Sequence, residues 1–481
     1  MTDVVIVGAG LAGCLMAAQL AEAGADVVLL EAGAAGPPLD YPDPARDAYA
    51  ATGDVEYKLN ATRVKGAGGT TNHWGAYTPR FVEADFRSRS TAGMAADWPI
   101  GYTDLEPWYG DAEHELGVAG NDDNEFAGPR SRPYPMPARS VPPGLAERFA
   151  AAGVRLCSQP AAITTRSWQG RPPASLYRAH QVHLPRALAT GRCRLVTDAT
   201  VLRLESDAAG RVTRAVYAGL ADRTERAVDG VRFVIACGGV ESARLLLLSQ
   251  SGSRPRGLGN AAGLVGRGFM DHHRTDLACE FNAPVSLPFA RALSFQWNAR
   301  APGGSDAGLL LTVKAAPQPA DFIRQYYWGE PLRERLLAEA ATQLLLSCTV
   351  EGIPADDNRI ELDANLTDPF GNPVPHLDYS LNAEVRAGIE RGRAIIADLG
   401  ARLGAAVSQP QGEVYLDHHM GTCRMAVDPG AGVVDGDLVV HGSPNLMVAS
   451  SAVFVTGACV NPSLTIAALA LRAAAHLRGS S

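Results

Sequence analysis

Val4 to Val7 is an unbroken apolar run that predicts a buried strand, and three glycines follow it at Gly8, Gly10 and Gly13. Leu11, Leu15 and Ala18 then recur at helical spacing until Gly24 stops the helix. Val27 to Leu30 predicts a second buried strand, which ends on Glu31. Arg232 to Ile235 repeats the strand pattern and runs through Ala236-Cys237-Gly238-Gly239 into a leucine-rich helix from Glu241 to Leu248. Thr200–Glu205 and Val212–Ala218 alternate apolar and polar residues around the turn-like Asp207-Ala208-Ala209-Gly210, as a hairpin does. Near the other end, Asn461-Pro462 has the form of an N-cap and first-turn pair for an apolar helix from Ser463 to Leu477. Pro-rich stretches near residues 127–144 and 301–320 predict connections within an intervening domain, and no repeat of 20 to 50 residues is visible.

These elements predict an α/β protein with a Rossmann-type dinucleotide domain that is interrupted in sequence. At 481 residues the chain exceeds what one hydrophobic core usually supports, so two structural domains are expected. With 46% hydrophobic and 20% charged residues it is globular in composition, and 50 Gly with 32 Pro predict many turns. The net charge of −8 argues against a nucleic-acid partner. Residues 4–20 are apolar but lack a preceding basic segment and already serve as strand and helix, so no export signal is read and a cytoplasmic location is expected. No run of 18 or more apolar residues occurs elsewhere, so no membrane span is expected. The eight cysteines are scattered without CxxC or metal-ligand spacing, which predicts free thiols and no metal site.

The first glycine turn carries chemistry. Gly8 permits the tight turn, Gly10 lets a pyrophosphate approach the backbone, and Gly13 lets helix and strand pack closely. Glu31 lies 23 residues past Gly8, near the roughly 20-residue interval at which a carboxylate accepts from a ribose. A carboxylate there suits FAD or NAD and disfavours NADP. A lone GxGxxG also fits any glycine-rich turn; here strand, helix and acid agree.

A second stretch, Lys65-Gly66-Ala67-Gly68-Gly69-Thr70-Thr71-Asn72-His73-Trp74-Gly75, combines backbone freedom with polar and aromatic side chains, as a loop lying against a flat cofactor does. A third is His418-His419-Met420-Gly421-Thr422, followed 43 residues after His418 by Asn461-Pro462-Ser463-Leu464-Thr465. His418 also fits a buried hydrogen-bonded histidine, and Asn461 a plain helix cap.

Together with GAGLAG, the GAGGTTNHWG loop, ACGGVESARLLLLS and LGNAAGLVGRGFMDHH at 258–273, these stretches resemble the glucose–methanol–choline oxidoreductase family. The five motifs stand in family order, and the NHWG and NPSLT signatures resemble its bacterial sugar and glycoside dehydrogenase branch. The resemblance implies FAD and oxidation of an alcohol by hydride transfer to flavin N5. It places the base at His418 and a hydrogen-bonding partner at Asn461. Neutral imidazole suits proton removal near physiological pH, and an amide can donate to the same oxygen without competing as a base. It implies FAD contacts at Gly8, Gly10, Leu11, Ala12, Gly13, Glu31 and Ala32; at Gly68, Gly69, Asn72, His73, Trp74 and Gly75; at Val201, Ala236, Cys237 and Gly238; and at Ser450, Pro462, Leu464 and Thr465.

Some relatives attach flavin to a histidine that follows threonine; here Asn72 precedes His73, so noncovalent contact is expected. Ser450 stands where many relatives place an aspartate, and its hydroxyl can meet the pyrophosphate without adding negative charge. His272, His273 and His376 show no partner pattern and are read as structural. The expected division is 1–90, 191–274 and 406–481 for the FAD domain, and 91–190 and 275–405 for a substrate domain built on an antiparallel sheet plus helices. The expected partner is a sugar, glycoside or polyol, with the electron acceptor open. Two other readings stand beside it: oxidation of an aminoglycoside or aminocyclitol hydroxyl, and a lyase that keeps FAD only as structure while cleaving cyanohydrins.

Overall fold

The computed structural model describes residues 2–36, 47–60, 63–283, 285, 291–298, 306–316, 329–339, 342–408 and 414–479. Its first sheet grows from the runs with the strongest apolar patterning. Thr2–Val7 pairs in parallel with Val27–Leu30 on one side and with Arg226–Ile235 on the other, and Cys193–Val196 extends the edge beyond Val27–Leu30. Arg226–Ile235 is long enough to serve two further partners. Its first half pairs antiparallel with Val212–Ala218, and its end takes Leu446–Val448 in parallel. Val212–Ala218 and Thr200–Ser206 form the expected hairpin.

Val4, Val5 and Ile6 are almost wholly buried because helices cover this sheet. The glycine-turn helix Leu11–Glu22 and the helix Ser463–Gly479 pack on each other, so their alanine- and leucine-rich faces share one core. The helix expected from Glu241 begins earlier and spans Gly238–Leu248.

A second, largely antiparallel sheet places Gln343–Val350 between His273–Glu280 and Leu309–Ala316, with Ala292–Ser294 and Cys157–Ser158 beyond. Helix Ala383–Leu403 covers one face; the Asn382 side chain caps it by accepting from Val385 N at 2.9 Å. A third, smaller sheet joins Arg359–Thr367, Pro373–Asp378 and Ala50–Thr52.

Several findings depart from the sequence expectations. Leu309–Ala316 falls inside the stretch expected to be a connection, yet it is an interior strand: prolines flank it rather than interrupt it, and its leucines are buried between neighbours. Residues 301–305 and 317–320 of that stretch lie outside the described residues. Ala406–Val407 and Val414–Tyr415, placed by sequence with the dinucleotide domain, pair with His273–Glu280 in the second sheet. Tyr102–Leu116 and Ala179–Ala189, placed with the substrate domain, pack on Ser463–Gly479 and Leu11–Glu22 instead. Short elements follow whichever apolar face is open to them, and composition does not reveal which.

Among the described residues, no helix is long and apolar enough to cross a membrane, and no cluster of His, Cys, Asp or Glu has metal-binding geometry. All eight cysteines are free thiols.

Candidate active site

The strand ends of the first sheet open into a cavity of about 270 Å³. Of the residues expected at the cofactor, Gly8, Gly10, Leu11, Ala12, Glu31, Ala32, Gly69, Val201, Ala236, Cys237, Gly238, Ser450 and Pro462 line it together with His418. The glycine turn divides into two jobs. A Cβ on Gly13 would stand 1.9 Å from the Gly8 carbonyl oxygen, so that glycine is required for helix-to-turn packing. A Cβ on Gly10 would meet nothing within 4 Å, which leaves the backbone open on the cavity side. The lining suits an extended dinucleotide: open glycine backbone at the start of a helix, with an acid and an imidazole in the same wall.

Glu31 is more tightly engaged than its expected ribose role requires. Its Oε2 accepts from Ala9 N at 2.8 Å and its Oε1 from Gly33 N at 2.9 Å, so the carboxylate also braces the glycine turn. Ser450 lines the cavity, but its hydroxyl already meets Ser242 Oγ at 3.2 Å and donates to the Gly238 carbonyl at 3.3 Å.

Sequence reasoning missed an ion cluster in the same wall. Arg63 meets Glu241 at 2.5 Å, and Lys65 lies 3.6 Å from Glu241 and 3.5 Å from Asp47. Arg244 meets Glu241 at 3.3 Å and Asp368 at 2.6 Å. Burial pushes the Glu241 carboxyl up, but Lys65, Arg244 and Arg63 together hold it below the usual carboxylate range. Arg63 and Lys65 flanking a glycine loop are the signal that pointed there.

The remaining expected contacts are not among the lining residues. Gly68 is left-handed at φ 95° and starts the short turn Gly69–Asn72. Asn72 donates from Nδ2 to Ala67 O at 3.1 Å, while its Oδ1 is buried without a partner. His73 and Gly75 are exposed. Trp74 packs edge-on against Tyr177 and donates its indole N–H to the Tyr177 carbonyl at 2.9 Å. Two side chains depart from expectation: Leu464 is wholly buried in the core, and the Thr465 hydroxyl bonds Tyr109 Oη at 2.8 Å, because the first turn of their helix is sealed by Tyr102–Leu116.

His418 lines this cavity, and the structure brings Asn461 against it, with Asn461 Nδ2 3.3 Å from His418 Nε2. Asp271 holds the loop that carries His418. Its Oδ1 accepts from His272 N at 2.6 Å and His418 N at 2.7 Å, and its Oδ2 accepts from Asp417 N at 3.0 Å and from the Tyr57 hydroxyl. Burial raises this carboxyl to about 6 against those four donors, so it is ionised at neutral pH. His418 is neutral: burial, then His272, His419 and Arg274, hold its pKa well below 6.5. Burial and then Arg63 hold His419 at about 3.

His272, read from sequence as structural, lies against the pair. Its Nδ1 is 2.7 Å from His418 Nδ1. They stand 146 positions apart and form no local pattern, so only the tertiary fold reveals the contact. His273 and His376 bond Tyr379 Oη and Thr52 Oγ1, at 2.8 and 3.0 Å.

A sequence profile described as GMC oxidoreductase matches residues 354–470, and one described as FAD binding domain matches residues 3–80. The chain is 28% identical to the fructose dehydrogenase large subunit of Gluconobacter japonicus, over 98% of this chain and 97% of that protein. It is 29% identical to paromamine 6'-oxidase of Streptomyces fradiae, over 99% of this chain and 91% of that protein. The crystal structure of pyridoxine 4-oxidase from Mesorbium loti superposes with a TM-score of 0.67 at 18% identity, covering 100% of this chain and 99% of that one, a likeness of fold.

Two predictions follow from the cradle and the carboxylate. Gly13→Ala is expected to lower stability by about 3 kcal/mol through overpacking, whereas Gly10→Ala changes stability of the flavin-free protein by under about 0.5 kcal/mol and still loses FAD on gel filtration. Equal thermal destabilisation of both would contradict the division of labour. Asp271→Asn puts an amide N–H against backbone donors and is expected to cost about 3 kcal/mol in thermal unfolding at pH 7; an unchanged melting curve would contradict it.

Proposed function

Because the chain belongs to the glucose–methanol–choline oxidoreductase family and is an FAD-dependent enzyme acting on CH–OH donors, we propose that it oxidises a hydroxyl of a sugar, glycoside or other polyol with His418 as base. The observation that carries this reading is the 3.3 Å contact between Asn461 Nδ2 and His418 Nε2, where His418 lines the same cavity as the glycine turn. Bound FAD supplies the acceptor for the hydride that leaves the carbinol carbon.

The chain's own residues do the rest. His418 Nε2 takes the hydroxyl proton, so hydride leaves the carbon as its oxygen becomes anionic, and a carbonyl forms directly. Asn461 Nδ2 donates to that oxygen and fixes its position between amide and imidazole. Depressing the His418 pKa keeps the base free of protons over the neutral range, at the cost of weaker intrinsic basicity. Helix Ser463–Gly479 starts two residues past Asn461, and its N-terminal end favours negative charge beside Pro462.

An aminoglycoside hydroxyl is the second reading. It is supported by the similarity to paromamine 6'-oxidase over nearly the whole chain and by a net charge of −8, which suits a cationic substrate. The lyase reading draws no support from these relatives.

Anaerobic titration with sugars, polyols, glycosides and aminoglycosides is expected to bleach the flavin with at least one class. His418→Ala should slow that bleaching by about 10²- to 10⁴-fold while retaining FAD. Full-rate reduction by the variant would overturn the assignment of the base. In the histidine side-chain ¹⁵N spectrum His418 should stay unprotonated as pH falls through about 6.5, the ordinary histidine value, so that a fall in reduction rate at about 6 reports protonation of Asp271 and not of the base. Protonation of His418 centred near that ordinary value would show a solvated imidazole instead.

A further inference from the structure

His272 is buried with both ring nitrogens engaged. Its Nε2 lies 3.0 Å from the Gly457 carbonyl oxygen and 2.9 Å from the Ala458 carbonyl oxygen. Carbonyl oxygens only accept, so Nε2 carries the hydrogen. The ring is neutral, since burial holds its pKa below the usual histidine value. Nδ1 therefore has a bare lone pair, and the group 2.7 Å from it is His418 Nδ1.

Two lone pairs at that distance repel, so His418 Nδ1 carries its hydrogen and donates. A neutral imidazole has one N–H, which leaves His418 Nε2 bare. That is the nitrogen facing the Asn461 amide, whose Nδ2 can only donate. One assignment satisfies all three contacts. The opposite tautomer of His418 would set lone pair against lone pair on one side and donor against donor on the other.

The same ring also ties down the second half of the site. Gly457 and Ala458 lead into Asn461, and Ala458 sits at the left-handed φ of 52°, a backbone state an alanine rarely adopts. Its carbonyl accepts from His272 Nε2 and from Gly352 N at 2.9 Å, so two donors hold the strained residue in place.

We infer that His272 is a positioning residue: it fixes the proton of His418 on Nδ1, keeps Nε2 bare toward Asn461, and anchors the segment that delivers Asn461. The inference rests on His418 acting as the base. It needs no group beyond this chain, and the proton that His418 accepts at Nε2 leaves the Nδ1–H···Nδ1 contact intact.

The decisive measurement is the histidine side-chain ¹⁵N spectrum of the FAD-loaded protein, with His418 assigned by its loss in His418→Ala. The expected pattern is a pyridine-type Nε2 and a pyrrole-type Nδ1 at His418. In His272→Leu that pattern should reverse or mix, and flavin reduction at saturating substrate should slow about 10- to 100-fold, with the substrate concentration for half-saturation nearly unchanged. His272→Gln, whose amide can accept from His418 and donate to the carbonyls, should recover most of the rate. A protonated Nε2 in the unmodified protein would overturn the inference, as would His272→Leu with an unchanged pattern and rate. Should the leucine variant lose flavin, the spectrum of the unmodified protein decides alone. Failure of every alcohol to reduce the flavin would refute the functional reading and leave the tautomer pattern to stand or fall by itself.

Discussion

The carboxylate of Asp271 and the imidazole of His272, adjacent in sequence, hold together two loops that the chain places far apart. Asp271 gathers the backbone N–H groups of Asp417 and His418; His272 reaches the carbonyls of Gly457 and Ala458. Every statement about the site depends on this junction, because neither His418 nor Asn461 lies on a strand or inside a helix. Both sit on connections; pairing of Tyr415 with His273 and a bridge between Met420 and Met270 hold only the ends of the one that carries His418. Asp271 and His272 are themselves sealed from water, so their polar side-chain atoms find partners within the protein. Tyr57 completes it by donating to Asp271 while its ring stacks on Tyr415, with centroids 4.3 Å apart.

Burial sets the charge state of the site. The His418, His419 and His272 rings are all pushed toward neutrality, while Asp271 stays ionised because four donors converge on it. Two effects of opposite sign therefore meet in one small volume. Desolvation wins at the imidazoles, even at His419, whose Nε2 lies 4.0 Å from an Asp417 carboxyl oxygen. Hydrogen bonding holds the carboxylate to about 6, within reach of ionisation at neutral pH. The cavity wall solves the same problem differently. There Arg63, Lys65 and Arg244 face Asp47, Glu241 and Asp368, so buried charges of both signs offset one another.

The glycine turn was fully legible in sequence, because its requirements are local: Gly8, Gly13 and Glu31 act within one strand–helix–strand unit. The hairpin at Thr200–Ala218 and the helix after Asn461 were legible for the same reason. Leu309–Ala316 was not, since the prolines on either side read as a connection while its burial depends on strands from elsewhere. The motifs led to His418 and Asn461 one at a time, and family resemblance paired them. His272 stayed hidden, as nothing in the residues around it indicates that a partner 146 positions away will fold against its ring. Leu464 and Thr465 show the converse: they belong to a functional motif, yet their side chains fill the core, and the motif also records packing against Tyr109.

The most direct test of the central claim is a crystal structure of the FAD-loaded protein with a non-reactive polyol. The account predicts one polyol oxygen within hydrogen-bond distance of both His418 Nε2 and Asn461 Nδ2, with the carbon bearing it over the flavin ring. A polyol seated elsewhere while those two side chains keep their direct contact, or a flavin ring lying away from His418, would contradict it.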